Sequence, residues 1–371
     1  MEGVVMHEIF PALHNRRILL TGHTGFKGSW MALWLARLGA KVTGYSLPAP
    51  SKPSNYEVSQ VREVLTKEFI ADIRNTATLA KAFDETSPEV VFHLAAQPLV
   101  RESYNDPHET FGVNVLGTSA VLDAVRKARR PMVVVVVTSD KCYDNKEQIW
   151  GYRECDELGG FDPYSASKGA AEIITASYRR SFFHPAKLRD HGVKLASARA
   201  GNVIGGGDWA KDRIVTDIVS SLAAGKPVPV RNKHAIRPWE HVLEPLSGYL
   251  AIADRMLTSD DPKWCSAWNF GPYTGREAPV VDLVDCFSKH WKGGKWEDKS
   301  DPNAPHEAGI LRLAIDKAMT ELNWRPRWDF RTTVQRTAEW YQDYYALPTR
   351  SMRDRCHKDI EQYETSGPLE A

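Results

Sequence analysis

The sequence lacks a marked excess of charge of either sign. Its 48 lysines and arginines almost balance its 47 aspartates and glutamates, which leaves a formal net charge of +1 over 371 residues. Such a balance provides no broad basic surface for nucleic acid and no acidic tail. We therefore expect no nucleic-acid partner.

Long apolar runs are also missing from the sequence, and none is long enough to cross a bilayer. Residues 1–17 lack a basic start, a long apolar segment and a small-residue cleavage site, so we expect no secretion signal. A chain with no membrane span and no export signal is expected in the cytoplasm.

Cysteine is scarce, and no two cysteines form a Cys-x-x-Cys pair. The five cysteines are Cys142, Cys155, Cys265, Cys286 and Cys356. An odd number without that motif favours free thiols in a reducing compartment over a disulfide framework or a zinc site. We therefore expect no metal site.

Segments typical of strands alternate with segments of helical periodicity from residue 17 onwards. The predicted strands are 17–21, 41–47, 69–73, 90–97, 133–137 and 193–200. The run of five valines at 133–137 predicts a strand that is buried on both faces. This alternation predicts an α/β fold of the Rossmann type, with a doubly wound parallel sheet, helices on both faces and right-handed crossovers.

A glycine-rich turn joins the first predicted strand to the first helix with the spacing G-x-x-G-x-x-G. Glycines placed in this way allow the backbone to approach a pyrophosphate at a helix N-terminus, although a turn with no ligand is the alternative. The candidate cofactor-binding residues of this turn are Gly22, His23, Thr24, Gly25, Phe26, Lys27 and Gly28.

Three more predicted strands end where a dinucleotide would lie. The second ends in Tyr45, Ser46 and Leu47, so it lacks the acid that usually binds the ribose of NAD, and the choice between NAD and NADP stays open. The small residues that end the fourth strand leave room for a flat ring or ribose, or else serve tight helix packing. The further cofactor candidates are Asp72, Ile73, Leu94, Ala95, Ala96 and Gln97.

A polar cluster, Ser139, Asp140 and Lys141, follows the valine strand. Ligands of open α/β sheets bind at the carboxyl ends of the strands. A hydroxyl, a carboxylate and an ammonium group side by side at such an end suggest proton transfer.

Tyr164 and Lys168 lie four residues apart on a helix predicted to start at Pro163, so they share one face. An ammonium group beside a phenol lowers the pKa of the phenol, which then serves as a general acid or base. An isolated Tyr-x-x-x-Lys is usually only a surface pair. Its position after the glycine turn and Ser139 favours a catalytic pair.

The C-terminal half carries a second glycine-rich turn, 201–209, and several arginines near turns. Arginine suits bidentate recognition of phosphate, and three successive glycines allow a close approach of backbone to a ligand. The candidate substrate-binding residues are Asn202, Asp208, Trp209, Arg213, Arg231, Arg237 and His306.

Taken as a set, these segments resemble the extended short-chain dehydrogenase/reductase family over about residues 17–341. The matching segments are TGHTGFKG, HLAAQ, TSDKCY, YSASK, RAGNVIGGGDWAKDR, RPWEHVLEPLSGY and NFGP. Within that family the chain most resembles the nucleotide-sugar 4,6-dehydratases that act on CDP-glucose. The resemblance implies an NAD-binding domain at 13–202, with 235–258 returning to it, and a smaller C-terminal α/β nucleotide-sugar-binding domain made of 203–234 and 259–348.

The resemblance also implies roles for the candidate residues. Tyr164 would take the proton of the sugar 4-hydroxyl, Lys168 would lower its pKa and bind the nicotinamide ribose, and Ser139 would bind the same hydroxyl. Bound NAD would oxidise C4 transiently, which allows a proton to leave C5 and water to leave C6. Asp140 would protonate the leaving hydroxyl.

One departure from the family concerns Lys141, because most 4,6-dehydratases carry glutamate there as the C5 base. Lys141 must be neutral to serve as that base, which requires burial or a nearby cation such as Lys168. The alternative is that Lys141 only orients the sugar and another group takes the proton.

The family implies a homodimer through the helices at 110–129 and 163–182. Beyond residue 348 the sequence is highly charged with little apolar content, so we expect a loosely ordered tail at 349–371.

Three rival functions use the same fold. A 4-epimerase also forms a 4-keto sugar but needs no acid and base for C5 and C6, so the Asp140-Lys141 pair argues against it. An NADPH-dependent reductase fits less well still. A catalytically silent NAD-binding regulator would be expected to lack Tyr164 or Lys168, and both are present.

Overall fold

Strands and helices follow one another in the order that the sequence predicts. The computed structural model describes residues 9–291, 294–300, 310–347 and 349–370. The strands are β1 Arg17–Thr21, β2 Lys41–Ser46, β3 Lys67–Ile70, β4 Val90–His93, β5 Met132–Val137, β6 Val193–Ala200, β7 Val203–Ile204, β8 Val228–Val230, β9 Ile236–Arg237, β10 Glu240–His241, β11 Ala267–Phe270, β12 Ala278–Pro279 and β13 Trp296–Asp298.

The α-helices cover both faces of the sheet and the C-terminal part of the chain. They are α1 Phe26–Arg37, α2 Asn55–Val58, α3 Thr76–Thr86, α4 Val100–Asn105, α5 Pro107–Phe111, α6 Gly117–Ala128, α7 Pro163–Ser181, α8 Leu188–His191, α9 Ile214–Ala223, α10 Leu243–Thr258, α11 Val280–His290, α12 Asp316–Glu321, α13 Phe330–Ala346 and α14 Arg353–Thr365. A π-helical turn, Gly112–Leu116, joins α5 to α6.

Seven of the described strands form one parallel sheet in the order β11-β6-β5-β4-β1-β2-β3. The chain runs from β1 outwards to β3 and then returns to β4 on the other side of β1. This reversal opens a crevice at the carboxyl ends of β1 and β4, where such folds bind ligands. The Rossmann-type doubly wound sheet is therefore confirmed.

Each face of the sheet is covered by its own apolar core. On one face Trp30 and Trp34 of α1 pack with Leu246 of α10. On the other face Phe83 of α3 and Val121 of α6 pack against the same sheet. Every residue of β5 is buried, as expected for a strand that is covered on both sides.

The C-terminal part adds three short strand pairs, β7 with β10, β8 with β13 and β9 with β12. One predicted boundary is wrong, because β11 lies within the segment assigned to a second domain but pairs with β6 at the edge of the main sheet. The rest of the predicted division into two domains stays a prediction.

The expected loose tail at 349–371 is also wrong for the residues that the structure describes. Helix α14 buries Cys356, Ile360 and Tyr363, which are spaced four and three residues apart and so share one face. The Tyr363 hydroxyl lies 2.6 Å from Glu244 Oε2, and Trp34 Nε1 donates to Glu364 Oε1 at 2.8 Å. The high charge of this segment concealed the apolar stripe, although one charged residue, Asp359, is itself buried and pairs with Arg355.

Within the described ranges, the structure contains no helix that is both long enough and apolar enough to span a membrane.

Candidate active site

A cavity of about 1460 Å³ opens at the carboxyl ends of β1, β4, β5 and β6. It extends from the glycine turn after β1 to the segment 231–239. Pockets for a single small ligand usually enclose about 300–1,000 Å³. The cavity therefore has room for two ligands side by side.

The glycine turn fits a dinucleotide because its backbone packs too closely for side chains. Gly22 has φ +78°, and a Cβ there would lie 2.7 Å from the amide nitrogen of Ala95. A Cβ on Gly28 would lie 2.0 Å from the carbonyl oxygen of Gly22. The turn and the start of α1 thus expose backbone to the cavity at a helix N-terminus, the environment that binds a pyrophosphate.

Most of the predicted cofactor residues line this cavity, although β3 and β4 end earlier than predicted. The lining includes Gly22, Thr24, Gly25, Phe26, Lys27, Gly28, Asp72, Ile73, Leu94, Ala95 and Ala96. At the end of β2 the hydroxyls of Thr24 and Ser46 lie 2.8 Å apart, where other dinucleotide folds carry an acid. The carboxylate of Asp72 is bound by Arg74, whose hydrogen bonds hold its pKa below the usual value.

His23 and Gln97 do not line the cavity. The His23 ring turns under β2 into space that Gly44 leaves free, and its Nε2 lies 2.8 Å from Glu68 Oε1. Gln97 donates from Nε2 to the Thr110 hydroxyl at 2.8 Å. Both side chains brace the loops around the cavity, so their predicted direct contact with cofactor is not supported by the geometry.

Ser139, Asp140 and Lys141 meet at a short 3₁₀ turn, Asp140–Cys142, directly after β5. The Ser139 hydroxyl donates to Asp140 Oδ1 at 2.8 Å, and Lys141 Nζ lies 3.7 Å from the same oxygen. The other oxygen, Asp140 Oδ2, is buried and has no hydrogen-bond partner among the described residues. The predicted proton-transfer group is therefore assembled at the cavity wall.

Tyr164 and Lys168 also line the cavity from the start of α7, whose N-terminus is capped by Asp162. Lys168 Nζ lies 6.0 Å from the centre of the Tyr164 ring. Burial raises the pKa of Tyr164 to about 12, against the opposing effects of a hydrogen bond with Ser139 and of the charge on Arg213. The expected lowering of the Tyr164 pKa by Lys168 is therefore wrong, because desolvation outweighs it.

Lys168 itself is buried, and its surroundings disfavour its charge. Burial and, to a lesser extent, the nearby ammonium group of Lys27 lower the pKa of Lys168 to about 8. Burial likewise lowers the pKa of Lys27 to about 8. Two lysines of the cavity thus change charge close to neutral pH.

Six of the predicted substrate residues are in the described part of the chain, and all six line the cavity. They are Asn202, Asp208, Trp209, Arg213, Arg231 and Arg237. Arg213 Nε lies 3.4 Å from Asp208 Oδ2, and Trp209 packs edge-on against Tyr344. His306 lies outside the described residues.

Asp212 joins two arginines across the mouth of the cavity. Its Oδ1 lies 3.3 Å from Arg101 Nη1 on α4 and 3.0 Å from Arg231 Nη1. Arg231 is also bound to Asp217. The two guanidinium groups are thus held close together, as binding of a pyrophosphate requires.

Sequence reasoning missed a buried polar group beneath the site, which we call the Glu172 cluster: Thr138, Glu172, Ser197 and Arg199. Glu172 accepts hydrogen bonds from Thr138 at 2.5 Å, from Ser197 at 2.8 Å and from Arg199 Nη2 at 2.8 Å. Burial alone would raise the pKa of Glu172, but Arg199 and the hydrogen bonds lower it overall. The cluster ties β5, β6 and α7 together directly below Ser139.

Two further buried groups near the site, Glu240 and Tyr249, were also missed. Burial raises the pKa of both side chains well above their usual values. Glu240 lies in the segment RPWEHVLEP, which also contains Arg237, His241 and Glu244, so no clear signal of its burial was present in the sequence.

Comparison with known proteins agrees with this geometry. Residues 19–337 match the family model described as GDP-mannose 4,6 dehydratase. The CDP-glucose 4,6-dehydratase of Salmonella typhimurium is 48% identical over 328 residues, which cover 88% of this chain and 91% of that protein.

Solved structures show the same fold at lower identity. An epimerase from Methanothermobacter thermautotrophicus superposes with a TM-score of 0.77 at 23% identity, covering 94% of this chain and 97% of that one. The dTDP-glucose 4,6-dehydratase of Streptomyces venezuelae, with NAD and TYD bound, gives 0.73 at 21% identity, covering 89% and 98%. The chain therefore belongs to the extended short-chain dehydrogenase/reductase family, within the group matched by the GDP-mannose 4,6 dehydratase model.

Proposed function

We propose that the protein is a CDP-glucose 4,6-dehydratase, which converts CDP-D-glucose to CDP-4-keto-6-deoxy-D-glucose and water. The observation that carries this proposal is the meeting of two pairs, Tyr164 with Ser139 and Asp140 with Lys141, at one wall of the cavity. The first pair suits oxidation at C4, and the second suits elimination across C5 and C6. The similarity to the Salmonella enzyme supports CDP-glucose as the substrate.

NAD is the proposed cofactor. The close-packed glycine turn and the start of α1 would hold its pyrophosphate, and Lys168 would contact the nicotinamide ribose. When bound, NAD supplies transient oxidation at C4 and returns to its starting state, so the reaction needs no net reductant. The NAD-bound dehydratase of the same fold supports this choice.

Tyr164 is the base that takes the proton of the 4-hydroxyl. Its burial favours the neutral phenol, so the phenolate depends on Ser139 and on the positive charge of Arg213 for stabilisation. These groups are already in place around the phenol before any proton moves. This preorganisation is the main contribution of the fold to the first step.

Asp140 is the acid that protonates the leaving 6-hydroxyl, and Lys141 acts at C5. Lys141 Nζ lies beside Asp140 and its side chain is 30% exposed, so it reaches the cavity from the wall. Two roles fit this position: removal of the C5 proton and orientation of the sugar.

The pyrophosphate of the nucleotide sugar is proposed to bind on the wall that carries Arg213, Arg231 and Arg237. Asn202 and Trp209 lie on the same wall, and His306 completes the proposed set. A diphosphate next to Arg231 would compete with Asp212 for the guanidinium group.

A homodimer is proposed through α6 and α7. Leu116, before α6, and Ile173, on α7, are 63% and 58% exposed, and Phe182 follows α7 with 48% exposure. Apolar side chains grouped in this way are typical of an interface between subunits. The cytoplasmic location stays a prediction.

The proposed function is tested by incubating the protein and NAD separately with CDP-, dTDP-, UDP- and GDP-glucose, and with GDP-mannose. A 4-keto-6-deoxy sugar, made alkaline, absorbs in the near ultraviolet as a conjugated enolate. A signal with CDP-glucose alone is the expected result. Inversion at C4 without that signal would instead identify a 4-epimerase, the activity suggested by the epimerase of the same fold.

A further inference from the structure

Glu240 is a buried carboxyl group without a hydrogen-bond partner among the described residues. Glu240 is only 2% exposed, and neither of its carboxyl oxygens has a hydrogen-bond partner in the described part of the chain. Glu244, four positions later, is equally buried but accepts hydrogen bonds from the backbone of Arg327 and Trp328 and from Tyr363. An unpaired buried carboxylate costs several kcal/mol, so Glu240 requires a proton or a nearby cation.

The backbone places Glu240 beside Asp140. The Glu240 amide donates to the carbonyl oxygen of Asn202 at 3.2 Å, so its strand lies against the segment that follows β6. In the same segment, a Cβ on Gly201 would lie 3.3 Å from Asp140 Oδ2. Gly201 thus adjoins both residues: Asp140 Oδ2 lies near its Cα, and its backbone amide acts on the Glu240 carboxyl. Pro238, whose Cγ would lie 2.9 Å from a Cβ at this position, packs against the same glycine.

The charged groups around Glu240 come from three elements. Burial raises the pKa of Glu240 well above its usual value, Lys27 opposes that rise, and Glu244 and Asp140 add to it. The phenol of Tyr249 faces the same group. The balance favours the protonated form of Glu240.

We propose that Glu240 is a positioning residue that shares the acid proton with Asp140, so that two carboxyl groups hold and replace the proton given to the leaving hydroxyl. This inference rests on the proposed dehydratase function. Glu240 does not line the cavity, so it acts on the sugar only through Asp140.

The proton balance of the elimination step is simple. As the C6–O bond breaks, its electron pair leaves with the oxygen, which takes the proton of Asp140 and departs as water. The proton of Glu240 then moves to Asp140 Oδ2, and the resulting Glu240 carboxylate is stabilised by the ammonium group of Lys27. A proton returns to C5 when hydride reaches C6, so the pair regains its proton from the one that Tyr164 took from the 4-hydroxyl, passed on through solvent.

The test compares Glu240→Gln with the matched control Glu244→Gln, which makes the same substitution at the same depth. The Glu240→Gln side chain keeps the shape of the original but has no acidic proton to pass on. We expect elimination to slow by roughly tenfold to hundredfold, less than the loss of a general acid itself. Oxidation at C4 should stay intact, so reduced nicotinamide should accumulate on mixing with CDP-glucose, and the alkaline limb of the elimination rate should shift to lower pH because Asp140 alone then holds the acid proton.

Glu244→Gln should lower the melting temperature but keep the wild-type rate of elimination, with only a small shift of its pH profile because Glu244 raises the pKa of Glu240. The role of Glu240 is overturned if Glu240→Gln eliminates water at the wild-type rate with the wild-type pH profile, or if Glu244→Gln alters that rate and profile to the same extent. Absence of 4-keto product from the wild-type protein in the same experiment would instead overturn the proposed function, and this inference with it.

A second measurement needs no variant and covers the case in which Glu240→Gln does not fold. The C5 proton comes from carbon, so the exchangeable protons of the elimination step are those of the two carboxyl groups. The rate in mixtures of H₂O and D₂O should therefore follow a curve that indicates two protons in motion. A straight line, which indicates one proton, would contradict the shared proton.

Discussion

Two buried polar groups lie one above the other at the end of β5, and they differ in how completely they are paired. In the Glu172 cluster both carboxylate oxygens accept hydrogen bonds, and Arg199 matches the charge. In the site above it, Asp140 and Glu240 leave three oxygens unpaired among the described residues. The same residue types thus build a rigid support in one place and a reactive group in the other.

The pKa shifts in the two groups depend on how completely their charged side chains are paired. Hydrogen bonds and Arg199 overcome burial at Glu172, whose pKa is lowered. In the site burial prevails, so that the pKa of Tyr164 rises to about 12 and that of Lys168 falls to about 8. Burial thus brings the pKa of Lys168 closer to neutral pH but moves that of Tyr164 further from it, so Tyr164 depends on the groups around it to lose its proton.

The largest effect is expected on turnover, from a change in the active site above the Glu172 cluster. Tyr164→Phe removes the proposed base, and we expect turnover to fall by roughly 10²–10⁴-fold. The variant should fold normally, because it loses only a phenol oxygen whose surroundings disfavour its charge. Absorbance of reduced nicotinamide after mixing with CDP-glucose checks this; its appearance at the wild-type rate would exclude Tyr164 as the base.

A comparably large effect, on stability, is expected in the Glu172 cluster. Glu172→Gln leaves the buried guanidinium of Arg199 without its counter-charge, and breaking a buried pair in this way costs about 3–5 kcal/mol. Denaturant unfolding measures the change. Asp123→Asn is the control, because Asp123 pairs with Arg126 and Lys127 at the surface and its loss should cost at most about 1 kcal/mol. An equal loss of unfolding free energy in the two variants would show that the buried Glu172–Arg199 pair stabilises the fold no more than a surface ion pair does.

Lys141→Met separates the two steps of the proposed reaction. The variant should still oxidise C4 but eliminate water roughly 10²-fold more slowly, the lower range for loss of a proton-transfer group. Accumulation of reduced nicotinamide without 4-keto product is the expected observation. Normal turnover would remove Lys141 from the mechanism.

A smaller effect is expected on the stability of the protein as the pH falls. His93 is buried between Thr21 and Thr118, and burial, followed by the charge of Lys168, lowers its pKa from 6.5 to about 3. The unfolded chain therefore binds a proton below pH 6.5 that the folded chain does not, so stability falls as the pH drops from 6.5 towards 3.

Between pH 7 and pH 5 this linkage amounts to about 2 kcal/mol. His93→Gln should reduce the pH dependence of the unfolding midpoint by that amount, because an amide does not titrate. The same pH dependence in the variant and the wild type would show that His93 is not the group responsible.

The smallest effect is expected at the mouth of the cavity. Asp212→Asn removes the charge that holds Arg101 and Arg231, so a diphosphate would no longer compete with a carboxylate for them. Asp212 has φ +60°, which asparagine tolerates. The KM for CDP-glucose should fall by about twofold to fivefold, as steady-state kinetics would show; an increase would argue that Asp212 orders the arginines for the substrate.

The parts of the site that sequence predicted are those encoded within a few neighbouring residues. The glycine turn, the Ser139–Asp140 cluster and the Tyr164–Lys168 pair each combine a local pattern with the end of a predicted strand. The parallel sheet with helices on both faces followed from the alternation of strands and helices. These features depend on short-range geometry, which a sequence displays directly.

The parts that sequence missed depend on contacts between distant segments. Glu172 meets Arg199 and Glu240 meets the 201–202 segment only after the sheet and the C-terminal part have folded together. The direction of the Tyr164 pKa was wrong for the same reason, because its depth of burial is set by the whole fold. The charged composition of the segment obscured the apolar face of α14. The spacing of Cys356, Ile360 and Tyr363 would have revealed that face.

The docking of α14 also determines how long α1 lacks one of its contacts while the chain is being synthesised. Trp34 of α1 is completely buried, and its indole bonds to Glu364, which the ribosome adds 330 residues later. At 5–20 residues per second, that interval lasts roughly 16 to 66 s. During this time the nascent chain presents an uncovered tryptophan on the helix that carries the glycine turn, so this helix is where we expect molecular chaperones to engage the growing polypeptide.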